Sequence, residues 1–270
     1  MWDIDSNRCI KTLNGTSSPV LCVKKTLGNK IISSYWDGSI KIWNIETGDC
    51  LKTINVHSGT VYGIQLVSYE KFVSCSADKT IKLFDLNTYS CIKTLFSHTD
   101  KVCSIDKISN DKIVSSSWDT TIRIWSLDSG ECLKVFEGHS SSVTCVKELS
   151  DELIISGSFN EIKIWNMETV CLQTLNGHSD FVNCILKLSN EQIASCSSDK
   201  TIKIWNFRNG ECLKTIEAHL GPIYSLKGLP NQKIISCSAD ETIKIWDFEK
   251  DIVKSFKGHS NAITCLELLN

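Results

Sequence analysis

No run of apolar residues in this 270-residue sequence is long enough to cross a bilayer, and no basic, then apolar, leader-like segment opens it. Charge of neither sign dominates. The 29 Lys and Arg against 31 Asp and Glu leave a formal net charge of −2, which argues against a general electrostatic partner such as nucleic acid or an anionic membrane. Proline occurs three times: Pro19 and Pro222 where strands begin, and Pro230 in a turn. A missing N–H costs little at such places. No segment carries a helical period, and there is no spacer, low-complexity run, Gly-rich phosphate loop or metal-spaced Cys/His cluster. These absences predict a chain with no metal and no cofactor, placed inside the cell and in the cytoplasm rather than the nucleus.

What is present is a repeat. Thr201-Ile202-Lys203-Ile204-Trp205 recurs as Ile40 to Trp43, Ile81 to Phe84, Ile122 to Trp125, Ile162 to Trp165 and Ile243 to Trp246, and Met1-Trp2 reads as the tail of one more copy. The closing aromatics at 2, 43, 84, 125, 165, 205 and 246 are spaced by 40 or 41 residues. A fixed period of this length marks a repeat architecture. Each repeat holds four short runs rich in β-branched and aromatic residues, separated by turn residues. In one copy they are Thr60 to Leu66 (strand a), Lys71 to Ser76 (b), Thr80 to Leu86 (c) and Cys91 to Leu95 (d). The period of two in strand c puts Ile202 and Ile204 on one face, with Lys203 and Trp205 on the other. Lysines recur on strand d at Lys11, Lys52, Lys93, Lys134, Lys214 and Lys254. They are expected to guard an exposed edge strand by charge rather than to form a basic patch.

Fourteen cysteines would suit a secreted disulfide scaffold, but they follow the repeat. Cys9, Cys50, Cys91, Cys132, Cys171 and Cys212 share one position; Cys22, Cys145, Cys184 and Cys265 a second; Cys75, Cys196 and Cys237 a third; Cys103 is off register. Equivalent positions of separate repeats are expected to lie too far apart to bridge. The thiols therefore read as small buried hydrophobes in a reducing compartment.

Gly138-His139 to Trp165-Asn166 and Gly177-His178 to Trp205-Asn206, with Trp2-Asp3 and Trp246-Asp247, resemble the WD-repeat β-propeller, over essentially the whole chain. The resemblance implies an all-β fold, a ring of four-stranded antiparallel blades around a central channel. Seven strands a and seven strands d can be counted, but only six strands b. The expected domain is thus a single seven-bladed propeller over 1–270: blade 1 about 19–55, blade 2 about 60–96, blade 3 about 101–137, blade 4 about 142–176, blade 5 about 181–217, blade 6 about 222–257, and an incomplete blade 7 from 262–270 plus 1–14. Continuing the period past His259 leaves a gap of about fourteen residues before Met1, so a piece of a longer product is expected.

All six histidines, His57, His98, His139, His178, His219 and His259, share one repeat position, so none is left over for catalysis or metal. The resemblance implies that this histidine joins a buried hydrogen-bonded set with a strand-b serine, a b–c turn aspartate and the strand-c tryptophan. Blade 3 supplies His98, Ser115, Asp119 and Trp125; blade 5 His178, Ser195, Asp199 and Trp205; blade 6 His219, Ser236, Asp240 and Trp246. Blade 1 has Thr16 in place of histidine, blade 2 has Phe84 in place of tryptophan, and blade 4 has Asn160 in place of aspartate in a turn one residue shorter. The set is therefore in doubt in those three blades. A Ser-His-Asp constellation also suggests a hydrolase triad, but its repetition argues against that, since a catalytic site needs only one.

Trp36, Trp118 and Phe159 sit just before the b–c turn aspartate position. In the family, this position looks onto the top face of the ring, as does the residue five after the histidine: Tyr62, Asn183 and Tyr224, with Phe181 close by. The expected function is a non-catalytic scaffold that binds a peptide or loop of a partner protein there. It would be no enzyme, would bind neither nucleic acid nor membrane, and would be a subunit of a larger complex. Two alternatives are the substrate-receptor propeller of a ubiquitin ligase, with its other domain elsewhere, and an enzyme on a propeller scaffold, for which no non-repeating catalytic cluster is found.

Overall fold

The structure, a computed structural model, describes residues 1–6, 8–15, 17–109, 111–189, 191–230, 232–247 and 252–269. Thr16 lies outside them. All the regular structure among the described residues is β-strand. In blade 1, Val20–Lys25, Lys30–Tyr35, Ser39–Asn44 and Cys50–Asn55 pair antiparallel in chain order. Blades 2, 3 and 6 form sheets of the same plan.

Blades 4 and 5 depart from it. A single strand, Cys171–Lys187, serves as strand d of one and strand a of the other, which joins their strands into one seven-stranded sheet. The cause is the shortened turn. Strand c starts early, at Phe159, which pairs with Phe181 across the link between the blades, while Asn160 takes a positive φ of 57°.

The core is a series of layers between neighbouring sheets. Ile32, Ile40, Ile42 and Ile54 of blade 1 pack on Val61, Ile64, Phe72 and Phe84 of blade 2. The alternation of strand c explains how a sheet is buried on both faces: Ile202 and Ile204 face blade 6, whereas Trp205 faces blade 4. Each sheet so treated removes apolar surface on two sides from water, the main stabilising term of the fold. Apolar packing of this kind also reaches the chain ends. Trp2, Ile4, Ile263 and Leu266 pack with blade 6, and Leu13 packs with Ile31, Tyr35 and Trp43 of blade 1.

The end segments are less regular than expected. Trp2–Asp3 pairs with Arg8–Cys9 as a short stub, and residues 257–269 form no strand. Among the described residues, no strand pairs with this segment. Side chains hold the segment instead: Trp2 Nε1 donates to His259 Nε2 at 3.1 Å, the Thr264 hydroxyl donates to the Val20 carbonyl, and Glu267 pairs with Lys227 at 2.7 Å while accepting from the Lys25 N–H.

The strand-d lysines do more than carry charge along an edge. Lys11 donates to the carbonyls of Ile45 and Glu46, Lys93 to Leu127 and Asp128, Lys134 to Met167, and Lys254 to Ile4 and Asp5. Each ties one sheet to the c–d turn of the next, where carbonyls converge without strand partners. Bulges supply edge protection as well. Leu51, Ile92, Leu133, Leu172 and Leu213 are each the extra residue where the c–d register shifts. Such kinks discourage sheet-to-sheet pairing.

The cysteines correct two expectations. All fourteen are free, but Cys9, Cys50, Cys91, Cys171 and Cys212 are exposed, because strand d is the outer strand. Only Cys75, Cys145, Cys196 and Cys237 are buried. Nor are equivalent thiols always far apart. Cys22 and Cys265 line one small cavity, and the Thr264 hydroxyl donates to the Val20 carbonyl beside them, because the inner segments of adjacent repeats lie side by side.

Candidate functional site

Strand b brings its serine beneath the d–a loop, where the histidine of the next turn reaches it. In blade 3, His98 Nδ1 meets Asp119 at 2.7 Å, His98 Nε2 meets Ser115 Oγ at 2.7 Å, and Trp125 Nε1 donates to that oxygen at 2.8 Å. Blade 5 repeats this with His178, Asp199, Ser195 and Trp205, and blade 6 with His219, Asp240, Ser236 and Trp246. The tautomer follows from the partners. Serine accepts from the indole and donates to Nε2, so Nδ1 carries the proton and donates to the carboxylate. Threonine closes the circuit: Thr121 and Thr201 donate to Asp119 and Asp199.

Burial holds His98, His139 and His219 below the usual imidazole range, against the opposing pull of their carboxylate partners. Burial pushes Asp78, Asp119 and Asp199 up, but hydrogen bonds from histidine and threonine outweigh it and hold them well below the usual carboxylate range. Asp240 is likewise drawn down to about 2.

The three doubtful blades each solve the same pairing problem differently. Blade 2 keeps His57, Ser74 and Asp78 at 2.6 and 2.7 Å and lacks only the indole. Blade 4 does not use Asn160; Glu161, one residue on, reaches His139 Nδ1 at 2.6 Å, because the longer side chain spans the shortened turn. In blade 1 the Tyr35 hydroxyl accepts from Ser33 at 3.1 Å, and Ser33 accepts from Trp43 at 2.8 Å. Tyr35 thus takes the place of histidine. The sequence marks only a departure from the repeat there: Tyr35 stands where Ser76, Ser117, Ser158, Ser197 and Ser238 stand in the other repeats.

These sets have the spacings of a hydrolase triad without its access. Ser74, Ser115, Ser156, Ser195 and Ser236 are fully buried, and in blades 3 to 6 the serine oxygen is already bound by an indole. Among the described residues, no three His, Cys, Asp or Glu side chains are placed to hold a metal ion.

The turn aromatics stand at the same end of the sheets. Trp36 is 58% exposed, Trp118 42% and Phe159 40%. Lys101 places its ammonium 4.0 Å from the centre of the Trp118 ring, and Phe159 and Phe181 meet edge to face at 5.2 Å. Asp100 and Asp180 each accept the next residue's N–H and so serve their own turns.

Tyr62, Asn183 and Tyr224 have a different setting. Each is the extra residue of a bulge in strand a, as are Leu21 and Cys103. A bulge re-aims one side chain, and here the re-aimed residues line a central cavity of about 170 Å³. Asn183 is committed inside it, donating to Ser198 and to the Ile223 carbonyl at 3.0 and 2.9 Å. Burial raises the Tyr62 phenol above its ordinary pKa.

Leu220 was missed. It is 86% exposed beside His219, at a position that Ser58, Thr99, Ser140, Ser179 and Ser260 hold elsewhere. The departure from a hydroxyl residue was its signal.

Among the described residues, no helix is long and apolar enough to cross a membrane. The model of the WD domain, G-beta repeat family matches six segments: 7–44, 48–85, 89–126, 130–166, 169–206 and 210–247. No curated protein matches the chain.

Proposed function

The chain belongs to the WD-repeat family, whose domains typically mediate protein–protein interactions, and from that premise we propose that it is a non-catalytic scaffold binding a peptide or loop of another protein on its top face. The observation that carries this reading is the exposure of Trp36, Trp118, Phe159 and Leu220 at one end of the sheets. Single exposed apolar residues are ordinary, but large ones at equivalent turns of several repeats make a surface suited to a partner's apolar side chain. We take the ring to have seven blades with the limits expected from the sequence, the seventh assembled from both chain ends. The ties of Lys254 to Ile4 and Asp5, of Lys11 to Ile45 and Glu46, and of Trp2 to His259 support that closure.

In this reading Trp36 and Trp118 are the anchors, Phe159 with Phe181 forms a paired apolar step, and Tyr62, Asn183 and Tyr224 shape the channel mouth. The test pairs a binding measurement with a melt. A partner captured with the intact chain is titrated against the parent, Trp36→Ala, Trp118→Ala and, as an edge-strand control, Leu51→Ala. The two tryptophan variants are expected to lose about 2 kcal/mol or more of binding, the scale of an interface hot spot, with little change in melting temperature. Leu51→Ala is expected to bind like the parent. Unchanged affinity in both tryptophan variants, or a loss of stability without a loss of affinity, would show that the rings only pack.

A further inference from the structure

One histidine departs from the other five. His57, His98, His139, His178 and His219 are buried, whereas His259 is exposed. In blades 3 to 6 the histidine Nε2 and the indole N–H both bind one strand-b serine oxygen. Where the two chain ends meet, no such serine lies among the described residues, and Trp2 Nε1 donates straight to His259 Nε2 at 3.1 Å. The two rings nonetheless keep the usual spacing. Their centroids lie 5.7 Å apart, within the 5.6–6.4 Å of blades 3 to 6. His259 Nδ1 meets no carboxylate among the described residues, whereas each of the other five meets Asp or Glu. Residues 257–269 form no strand, and Trp2–Asp3 is paired on one side only, with Arg8–Cys9. We propose that this gap is a docking slot in which an extended segment of another protein adds as strand b, placing a serine hydroxyl between Trp2 and His259.

The strands b of blades 2, 3, 5 and 6 specify the occupant. Phe72-Val73-Ser74, Ile113-Val114-Ser115, Ile193-Ala194-Ser195 and Ile234-Ile235-Ser236 each give two apolar residues and a serine, with a second serine two places on and an aspartate two places further. The first serine joins histidine to indole, and the aspartate takes the histidine Nδ1 proton in a hydrogen bond. The second serine donates to a loop carbonyl two residues past the histidine, as Ser117 does to Asp100 and Ser238 to Gly221; Asn261 holds that position after His259. In the same register the first apolar residue faces blade 6 beside Trp2. The second faces Ile31 and Trp43 of blade 1, on which Leu13 alone of the described end residues packs. Strand addition draws affinity from main-chain hydrogen bonds and specificity from alternate side chains, and these four positions supply the second. All six strands b of the chain are paired on both sides within their own sheets, so neither this molecule nor a second copy has one free to give. The slot also holds without its strand, because Lys254 ties Ile4 and Asp5, Thr264 ties Val20 and Glu267 ties Lys227. A gap kept by other contacts can be filled and vacated.

The inference rests on the reading that the chain ends close one blade, and not on the aromatic face. The probe is a synthetic peptide with the sequence of residues 111–121, which carries the full pattern and no cysteine. It is titrated against the intact chain while hydrogen exchange is followed. Binding is expected to slow amide exchange at 262–268 and to raise the melting temperature. The peptide carrying Ser115→Ala, and the unaltered peptide on a His259→Ala chain, are each expected to bind about tenfold more weakly. A Trp36→Ala chain is expected to bind the peptide like the parent, which separates the slot from the aromatic face. Equal binding of the Ser115→Ala peptide, or slowed exchange only elsewhere, would overturn the proposal. So would a chain that sediments as a dimer with 262–268 already protected, since a second copy would then fill the slot. Closure is read separately, by carbodiimide coupling of Lys254 to Asp5, whose carbonyl the Lys254 ammonium meets at 3.3 Å. Coupling without peptide binding would reject the slot and leave the closed ring standing, and the loss of both would reject the two together.

Discussion

Blade 2 is the place to test how the interior is specified. Across its b–c ladder, Phe72 faces Phe84, with the rings stacked at 4.7 Å and both fully buried. In the other blades the same register pairs isoleucine with tryptophan: Ile31 with Trp43, Ile113 with Trp125, Ile154 with Trp165, Ile193 with Trp205 and Ile234 with Trp246. The smaller closing aromatic is thus matched by a larger residue opposite it. Sequence alone suggests that Phe84→Trp, which supplies Ser74 with its absent indole donor, would be neutral or stabilising if the blade has room, but the stacked Phe72 fills the space the indole needs.

We expect Phe84→Trp to cost ~1–3 kcal/mol from overpacking, offset by ~1 kcal/mol from the new hydrogen bond. Phe72→Ile alone removes the stacking and leaves a void, costing ~1–3 kcal/mol. If the two acted independently, the double variant would lose ~1–5 kcal/mol. It should instead lie within ~1 kcal/mol of the parent, since volume is restored and Ser74 gains its donor. The coupling energy is therefore expected at ~1–5 kcal/mol, read from urea midpoints of the four proteins with unchanged slopes. Additivity within ~0.5 kcal/mol would refute the claim that the pair is a compensated exchange.

Three further outcomes follow from the buried polar groups. Ser34 and Ser116 are fully buried, and their hydroxyls have no hydrogen-bond partner, whereas the equivalent residues of blades 2, 5 and 6 are Cys75, Cys196 and Cys237. Ser34→Cys and Ser116→Cys should each stabilise by ~1–2 kcal/mol in denaturant melts, and a loss of stability would mean that the hydroxyls are paired after all. Tyr35→Phe leaves Ser33 only the long 3.5 Å contact to the Lys41 carbonyl and should cost ~1–2 kcal/mol, whereas Asn160→Asp should change little because Glu161 already serves His139; the reverse order of effects would reject the assignments. On acidification, His98, His139 and His219, held low by burial, stay neutral in the folded chain while the unfolded chain takes up protons near pH 6.5. The melting temperature should therefore begin to fall below about pH 6.5, and fall further below about pH 4, as protonation of Asp119 and Asp199 favours the unfolded chain; a flat profile from pH 7 to pH 5 would contradict this.

How much of this was legible follows from how local each feature is. The period of strand c and the alternation of Ile202, Lys203, Ile204 and Trp205 are local, and they give the strands and the faces they bury. The polar sets of blades 3, 5 and 6 were legible because the same four residue types recur at the same spacing. The substitutes were not read, for a spatial reason. Glu161 lies one residue past the aspartate position, and Tyr35 replaces a histidine expected about twenty residues earlier; only the folded backbone brings either to its serine. The merging of blades 4 and 5 likewise needs the pairing of Phe159 with Phe181, which strand propensity cannot report. The strand-d lysines pointed to charge on an edge, whereas their carbonyl partners lie some thirty-five residues or more away in sequence, on the next sheet.

The same comparison separates what holds this chain together from what it can offer a partner. Inside, the requirement is strict, because a buried donor or acceptor without a partner costs more than a paired one returns. Different residues meet it in different blades: aspartate or glutamate against histidine, tyrosine in place of histidine, a phenylalanine pair in place of tryptophan and isoleucine. A change in one element is answered by a change in its neighbour, and the sheets remain alike. At the turns just outside these sets no such requirement acts. Trp118 stands where the other repeats carry Ala77, Ser198 and Ala239, and Leu220 stands among hydroxyl residues, with no answering change in the buried sets beneath, whereas Trp36 and Phe159 accompany the altered sets of blades 1 and 4. The Trp118 turn rests on the complete set of His98, Ser115, Asp119 and Trp125, as the Ser198 turn rests on that of His178, Ser195, Asp199 and Trp205. Trp118 and Leu220 therefore differ for a reason that interior packing does not supply, which is what the proposed binding face requires.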